Sequence, residues 1–129
     1  MKKDRKNYSH ILDEVSMTKV LYIVMSGKEA EQRFDMAITS ALRMTENKMV
    51  EKVKLLFFGP SELLLASATG ERAEKIKKLV GYGVVDSACI FIAQNAKIDT
   101  ELKLQGINLE AYSGRMVALL GEGYTPISF

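Results

Sequence analysis

The feature that most constrains this chain is an alternation. Short apolar, β-branched runs take turns with stretches of helical periodicity about five times along the sequence. Lys19–Met25 (KVLYIVM) is almost continuously apolar, as a strand covered on both faces should be. Lys52–Phe58 (KVKLLFF) repeats the pattern until Gly59-Pro60 ends it. Between them Phe34, Ala37, Ile38, Ala41 and Leu42 recur at helical spacing with Arg33, Asp35, Arg43 and Glu46 opposite, which predicts an amphipathic helix over about Glu29–Glu46. Ser61 is a candidate N-cap for a short helix through Leu63, Leu64, Leu65 and Ala66. A further helix is expected over about Glu71–Val80, with Ala73, Ile76, Leu79 and Val80 inward.

The weaker run Gly83–Ala88 reads as a third strand. From Cys89 the chain turns helical, with Cys89, Ile92, Ala93 and Ala96 on one face. Asp99 and Glu101, beside Thr100, read as a polar connection. Ile107–Tyr112 is the fourth strand, and Met116, Val117 and Leu120 mark a short helix. Tyr124–Phe129 is the fifth strand, placed at an edge because Pro126 cannot donate to a ladder. Such alternation implies a parallel sheet with right-handed crossovers and helices on both faces. The expected architecture is a single three-layer α/β/α domain over 18–129 with a mostly parallel sheet of about five strands. Residues 1–17 read as a leader, in which Ile11, Leu12 and Val15 stand isolated among charges. Leu63, Leu64 and Leu65, at about 100° per residue, cannot all face one sheet, so a partner subunit is expected to cover part of that turn.

Composition narrows the function classes. A chain of 129 residues suits one domain. Its net charge of +2, from 18 basic and 16 acidic residues, is no footprint for nucleic acid or an anionic membrane. Arg72, Lys75, Lys77 and Lys78 are interleaved with Glu71 and Glu74, as on a solvated helix face. No apolar run approaches the roughly 20 residues of a membrane span. The basic start is followed by no apolar signal core, which predicts a cytoplasmic location. One cysteine excludes an intrachain disulfide and a CxxC pair, and one histidine, His10 in the leader, leaves no conventional zinc site or serine triad. No cofactor and no metal are expected.

Ser26-Gly27-Lys28 lacks the upstream glycine and following Ser or Thr of a phosphate loop, and no G-x-G-x-x-G follows a strand. Gly121-Glu122-Gly123 reads as a helix exit. Open parallel sheets place ligands and chemistry beyond the carboxyl ends of their strands, here Ser26-Gly27, Gly59-Pro60, Cys89 and Tyr112-Ser113. Cys89 is the candidate reactive group, because strand end and helix start meet there and helix amides favour a thiolate. Burial would oppose that. The apolar Ile90-Phe91-Ile92 favours a packing role, and no Lys, Arg or His lies within seven residues on either side. The residues themselves leave both readings open.

The order of features over about 19–129 resembles the DsrE/DsrF-like sulfur-relay family. It comprises KVLYIVMSGKEAEQ, then LLFFGP, then the Ala-Cys of VVDSACIFIAQNAKI, then LQGINLEAY, then EGYTPISF. In sulfur-carrying members a cysteine near the end of the central strand holds a persulfide, and the matching position is Cys89. The resemblance implies a sulfur carrier or sulfurtransferase-like protein with Cys89 as its catalytic residue. It also implies external sulfur donor and acceptor proteins and a homo-oligomer of the trimer or hexamer kind. Two alternatives stand beside it. One is a non-catalytic module binding a small ligand or a protein, with a structural Cys89. The other is a thiol redox protein forming a sulfenic acid.

Overall fold

A computed structural model describes residues 17–129. The leader proposed for 1–17 therefore lies, apart from Met17, outside the described residues. The five strands are β1 (Lys19–Val24), β2 (Lys52–Phe57), β3 (Val85–Cys89), β4 (Leu109–Glu110) and β5 (Thr125–Ser128). All pair in parallel, in the order β4-β3-β2-β1-β5. The expected three-layer α/β/α domain is the fold observed, and β5 with Pro126 is an edge strand as its sequence required.

One sheet face carries the larger core. A 3-10 turn (Lys28–Ala30) leads into α1 (Glu31–Glu46), whose buried residues are Phe34, Ala37, Ile38, Ala41 and Leu42, the set the periodicity selected. They pack with Val20, Tyr22, Val24, Leu55 and Phe57 of the central strands. Removing the Phe34 ring from this core would cost about 3–5 kcal/mol. α2 (Pro60–Ala66) and α3 (Gly70–Gly81) pack into the same core, and Ala93 and Leu102 join it further along the chain. Arg72 of α3 forks onto Asp35 of α1 through Nε (2.7 Å) and Nη2 (2.9 Å) and reaches Glu31 at 3.1 Å. These bonds hold the Asp35 carboxyl below its ordinary range. The opposite face has a smaller cluster, Leu21, Ile23, Leu56, Leu119 and Tyr124, covered by α6 (Tyr112–Gly121).

Several local expectations need correction. Ser61 is not an N-cap: Gly59 occupies that position, and Ser61 is buried inside α2 with its hydroxyl donating to the Val24 carbonyl. The Pro60 ring, with its fixed φ, starts the helix two residues earlier. The polar connection around Asp99 is a helix, α5 (Asp99–Leu104), with Leu102 its one buried residue. Cys89 ends β3, and α4 (Ile90–Asn95) begins after it. The fourth strand shrinks to two residues, because Tyr112 already opens α6. Leu64 and Leu65 are covered within the chain, and only Leu63 faces outward, 53% exposed. Of the three leucines, Leu63 alone is left for a partner subunit to cover.

Candidate functional site

The carboxyl ends of β1, β2 and β3 are drawn together by their loops. Phe58 donates its backbone N–H to the Val24 carbonyl at 3.1 Å, and the Ser61 N–H donates to the Met25 carbonyl at 3.1 Å. Gly27 lies so close to the next loop that a Cβ there would collide with the Pro60 carbonyl oxygen. This packing accounts for the glycine that a phosphate-loop reading would have used. It also forces the start of α2 inward, over the end of the sheet.

That placement buries Glu62. It is 0% exposed, in a rim where Ser26 and Ser61 are the other buried polar residues. Oε2 accepts the Gly59 N–H at 3.2 Å, reaching back to the helix N-cap, while Oε1 makes no hydrogen bond. Burial pushes its pKa up to about 7, and the amides of Gly59 and Cys89, which favour the anion, offset only part of that. A carboxyl in such a place keeps its proton into the neutral range, where it can donate a hydrogen bond as well as accept one.

Cys89 stands beside this carboxyl through its main chain. It is the last residue of β3, precedes α4, and is 5% exposed with a free thiol. Neighbouring β4 pairs Glu110 with it, and the chain then enters α6. There Tyr112 stacks on Phe58, with ring centroids 4.1 Å apart and planes 11° from parallel. So the four strand ends named from sequence do converge, and Cys89 and Tyr112 belong to one rim. Asp99 and Glu101 lie on α5, outside it.

Glu62 is the residue that sequence reasoning missed. The available signal was a lone acid in the otherwise apolar Leu55–Ala66 segment, three residues after a glycine that could cap a helix. A cleft of about 520 Å³ lies elsewhere: Val50, Lys52, Lys54, Tyr82 and Gly83 line it at the amino ends of β2 and β3. It brings no buried titratable group together, so the chemistry points to the rim and the volume does not. Among the described residues no group of three or more His, Cys, Asp or Glu side chains could hold a metal ion. Nor is any helix among them long and apolar enough to cross a membrane.

No family model matches the chain, and no curated protein matches it. The fold is similar to that of a conserved protein of unknown function from Bacteroides thetaiotaomicron. The two are 20% identical with a TM-score of 0.72, over 86% of this chain and 94% of that one. It is also similar to a protein of unknown function from Methanobacterium thermoautotrophicum, 19% identical with a TM-score of 0.65, over 88% of this chain and 99% of the other. At these identities the likeness shows a shared α/β fold spanning nearly the whole of each relative.

Proposed function

We propose that this protein is a sulfur carrier, forming a persulfide on Cys89 and passing the outer sulfur to a partner protein. The observation that carries the reading is the position of Cys89 at the carboxyl end of β3, on the rim where open parallel sheets gather their chemistry. The resemblance to DsrE/DsrF-like proteins assigns the same residue. In the loading step the Cys89 thiolate attacks the outer sulfur of a donor persulfide, the donor S–S bond breaks, and the donor leaves as a thiolate. In the unloading step an acceptor thiolate attacks that sulfur and Cys89 departs as a thiolate. Each step forms one S–S bond or its equivalent and breaks one, so no net oxidant or reductant is required. A single cysteine suffices for carrying, and both donor and acceptor are external.

The reading includes a cytoplasmic homo-oligomer, with the outward Leu63 on the contact between subunits. Intact mass tests the chemistry. After incubation with a small alkyl persulfide, the native protein should gain one sulfur atom and lose it to an added thiol, and Cys89→Ser should gain none. A wild-type protein that takes up no sulfur would remove the reading.

The 5% exposure of Cys89 favours a second reading, in which the thiol is a packing group in a non-catalytic binding module. A thiol reagent separates the two. A carrier is labelled while native, whereas a packing cysteine is labelled only when the protein unfolds.

A further inference from the structure

The sheet has an unfinished edge at its amino end. β2 starts at Lys52, but β3 pairs with it only from Leu55, opposite Val85. Main-chain groups alternate in direction along a strand. The Phe58 N–H turns toward β1, where the Val24 carbonyl accepts it, and the Leu55 N–H turns the other way, to the Val84 carbonyl. Val53 therefore aims its N–H and C=O to the same side as Leu55, into the cleft of about 520 Å³ that it lines. Neither group has a partner among the described residues, and the Val84 N–H, which could have answered the carbonyl, goes to Leu79. Val53 is buried, so water does not readily stand in. The cleft around it is apolar at Met44, Val50 and Val84 and basic at Lys48, Lys52 and Lys54. Lys52 and Lys54 share the strand face of Leu56, which α6 covers, whereas Lys48 follows α1 on the opposite side. The occupant that answers all of this is an extended peptide with apolar side chains and with acids on both of its faces.

We propose that the cleft is the docking site of this chain's own residues 11–15 (ILDEV), laid antiparallel along β2 so that one of them exchanges both main-chain bonds with Val53. The Thr18 carbonyl accepts the Glu51 N–H at 2.8 Å, so the chain that precedes β1 leaves beside the foot of β2. Reaching the far side of β2 means crossing two strand spacings, about 10 Å, which three residues cover. Residues 11–15 are the ones this path delivers to Val53. Successive side chains of an extended segment point to opposite faces, which sends Asp13 and Glu14 toward lysines on the two sides of the cleft. Ile11 and Val15 share the face of Asp13 and meet Met44 and Val50. The earlier part of the leader does not compete, because the cleft's lysines repel Lys2, Lys3, Arg5 and Lys6. The short tether also gives this segment a millimolar effective concentration, which sets it ahead of a free peptide of the same chemistry.

Hydrogen exchange of the Val53 amide, read residue by residue in the full chain, tests this, with the folding of each variant checked by its melting curve. In wild type the Val53 N–H should be protected as an amide inside a sheet is. Ile11→Asp combined with Val15→Asp should undock the segment and speed that exchange on the order of tenfold. Glu14→Lys and Lys52→Glu should each speed it roughly threefold, and the two together should restore the wild-type rate. Lys52 is the lysine to change, because Lys54 already donates to the Gly83 carbonyl at 2.7 Å. A Val53 N–H that exchanges freely in wild type, or at one rate in every variant, would overturn the proposal. So would protection that responds to Lys52→Glu and to no substitution in residues 11–15, because the occupant would then be another peptide. Protection that fades on dilution would put a second copy's segment in the cleft, which likewise overturns docking within one chain.

Discussion

Two acids, Glu62 at the rim and Asp86 on β3, are both shielded from water and have come to opposite states. Asp86 is the extra residue of a bulge where β3 shifts register against Leu55 and Leu56. Its side chain is 8% exposed. Burial would raise its pKa, but Arg115 of α6 forks onto it at 3.0 and 2.8 Å, and Ser87 donates a further bond at 3.0 Å. Together these hold the carboxyl below its ordinary range. Glu62 has only main-chain amides near it and no cation, and burial wins. The difference lies in the partner supplied, not in depth. Where the fold holds a shielded acid in its ionised state it provides a counter-charge, as at Asp86. Where it provides none, burial keeps the acid protonated into the neutral range.

The largest effect expected from this contrast is on stability against pH. Glu62 is raised from 4.5 to about 7, so the folded protein keeps a proton that the unfolded chain has already released. Its contribution is intact below the unfolded value and is lost as pH climbs to about 7, after which it changes no further. The size is about 3 kcal/mol for such a shift in a fully buried group. Urea denaturation of Glu62→Gln should therefore show a gain over wild type that is small in mild acid and grows to that order above neutrality. Parallel curves at all pH values would mean that Glu62 is ionised and satisfied.

Removing the partner from Asp86 should make it resemble Glu62. Arg115→Leu should cost about 2 kcal/mol near neutrality, below the range for a fully buried pair because Arg115 is 34% exposed. Asp86 has a lowered pKa, so the stabilisation it draws from Arg115 is present above the ordinary carboxylate range and fades as pH falls through the folded value. The penalty of Arg115→Leu should fade in acid accordingly. The two variants thus tilt the stability profile in opposite directions, and urea titrations at several pH values read both.

This contrast also marks where the sequence is readable. Parallel strands buried on both faces leave apolar runs, so KVLYIV and KVKLLF disclosed β1 and β2, and the spacing of Phe34 through Leu42 disclosed α1. α5 was illegible because a six-residue helix with one buried residue, Leu102, has no period to detect. The alternation put Cys89 at a strand end, where it lies. Glu62 was not, since nothing local separates a glutamate on the wet side of a helix from one pressed into the sheet end. That outcome depends on Gly27 letting the Pro60 loop approach, a contact between segments more than 30 residues apart. Asp86 and Arg115 are 29 residues apart, and their pairing was equally invisible.

A smaller effect is expected at the thiol. Cys89 is 5% exposed, so Cys89→Ser puts a hydroxyl where sulfur was nearly dry, at a cost of about 1–2 kcal/mol. Urea midpoints of wild type and variant measure it. A cost near zero would mean that the side chain at position 89 reaches solvent.

The smallest effect on the fold should come one residue along from Glu62. Leu63 points outward and is 53% exposed, so Leu63→Glu creates a third acid, on the same helix turn but in water. Such a surface change should alter stability by no more than about 0.5 kcal/mol. It should also leave the pH dependence of wild type as it was, because an exposed glutamate titrates alike in the folded and unfolded chains. What it should change is assembly. In the proposed oligomer the outer side of α2 lies against another subunit, and a charge buried there without a partner would separate the chains. Light scattering of wild type should report more than one chain per particle, and of Leu63→Glu a single chain. If the variant stays assembled, α2 faces solvent in the oligomer and the contact lies on another face. If instead its stability acquires a new slope between mild acid and neutrality, position 63 is buried in the assembly as Glu62 is in the monomer.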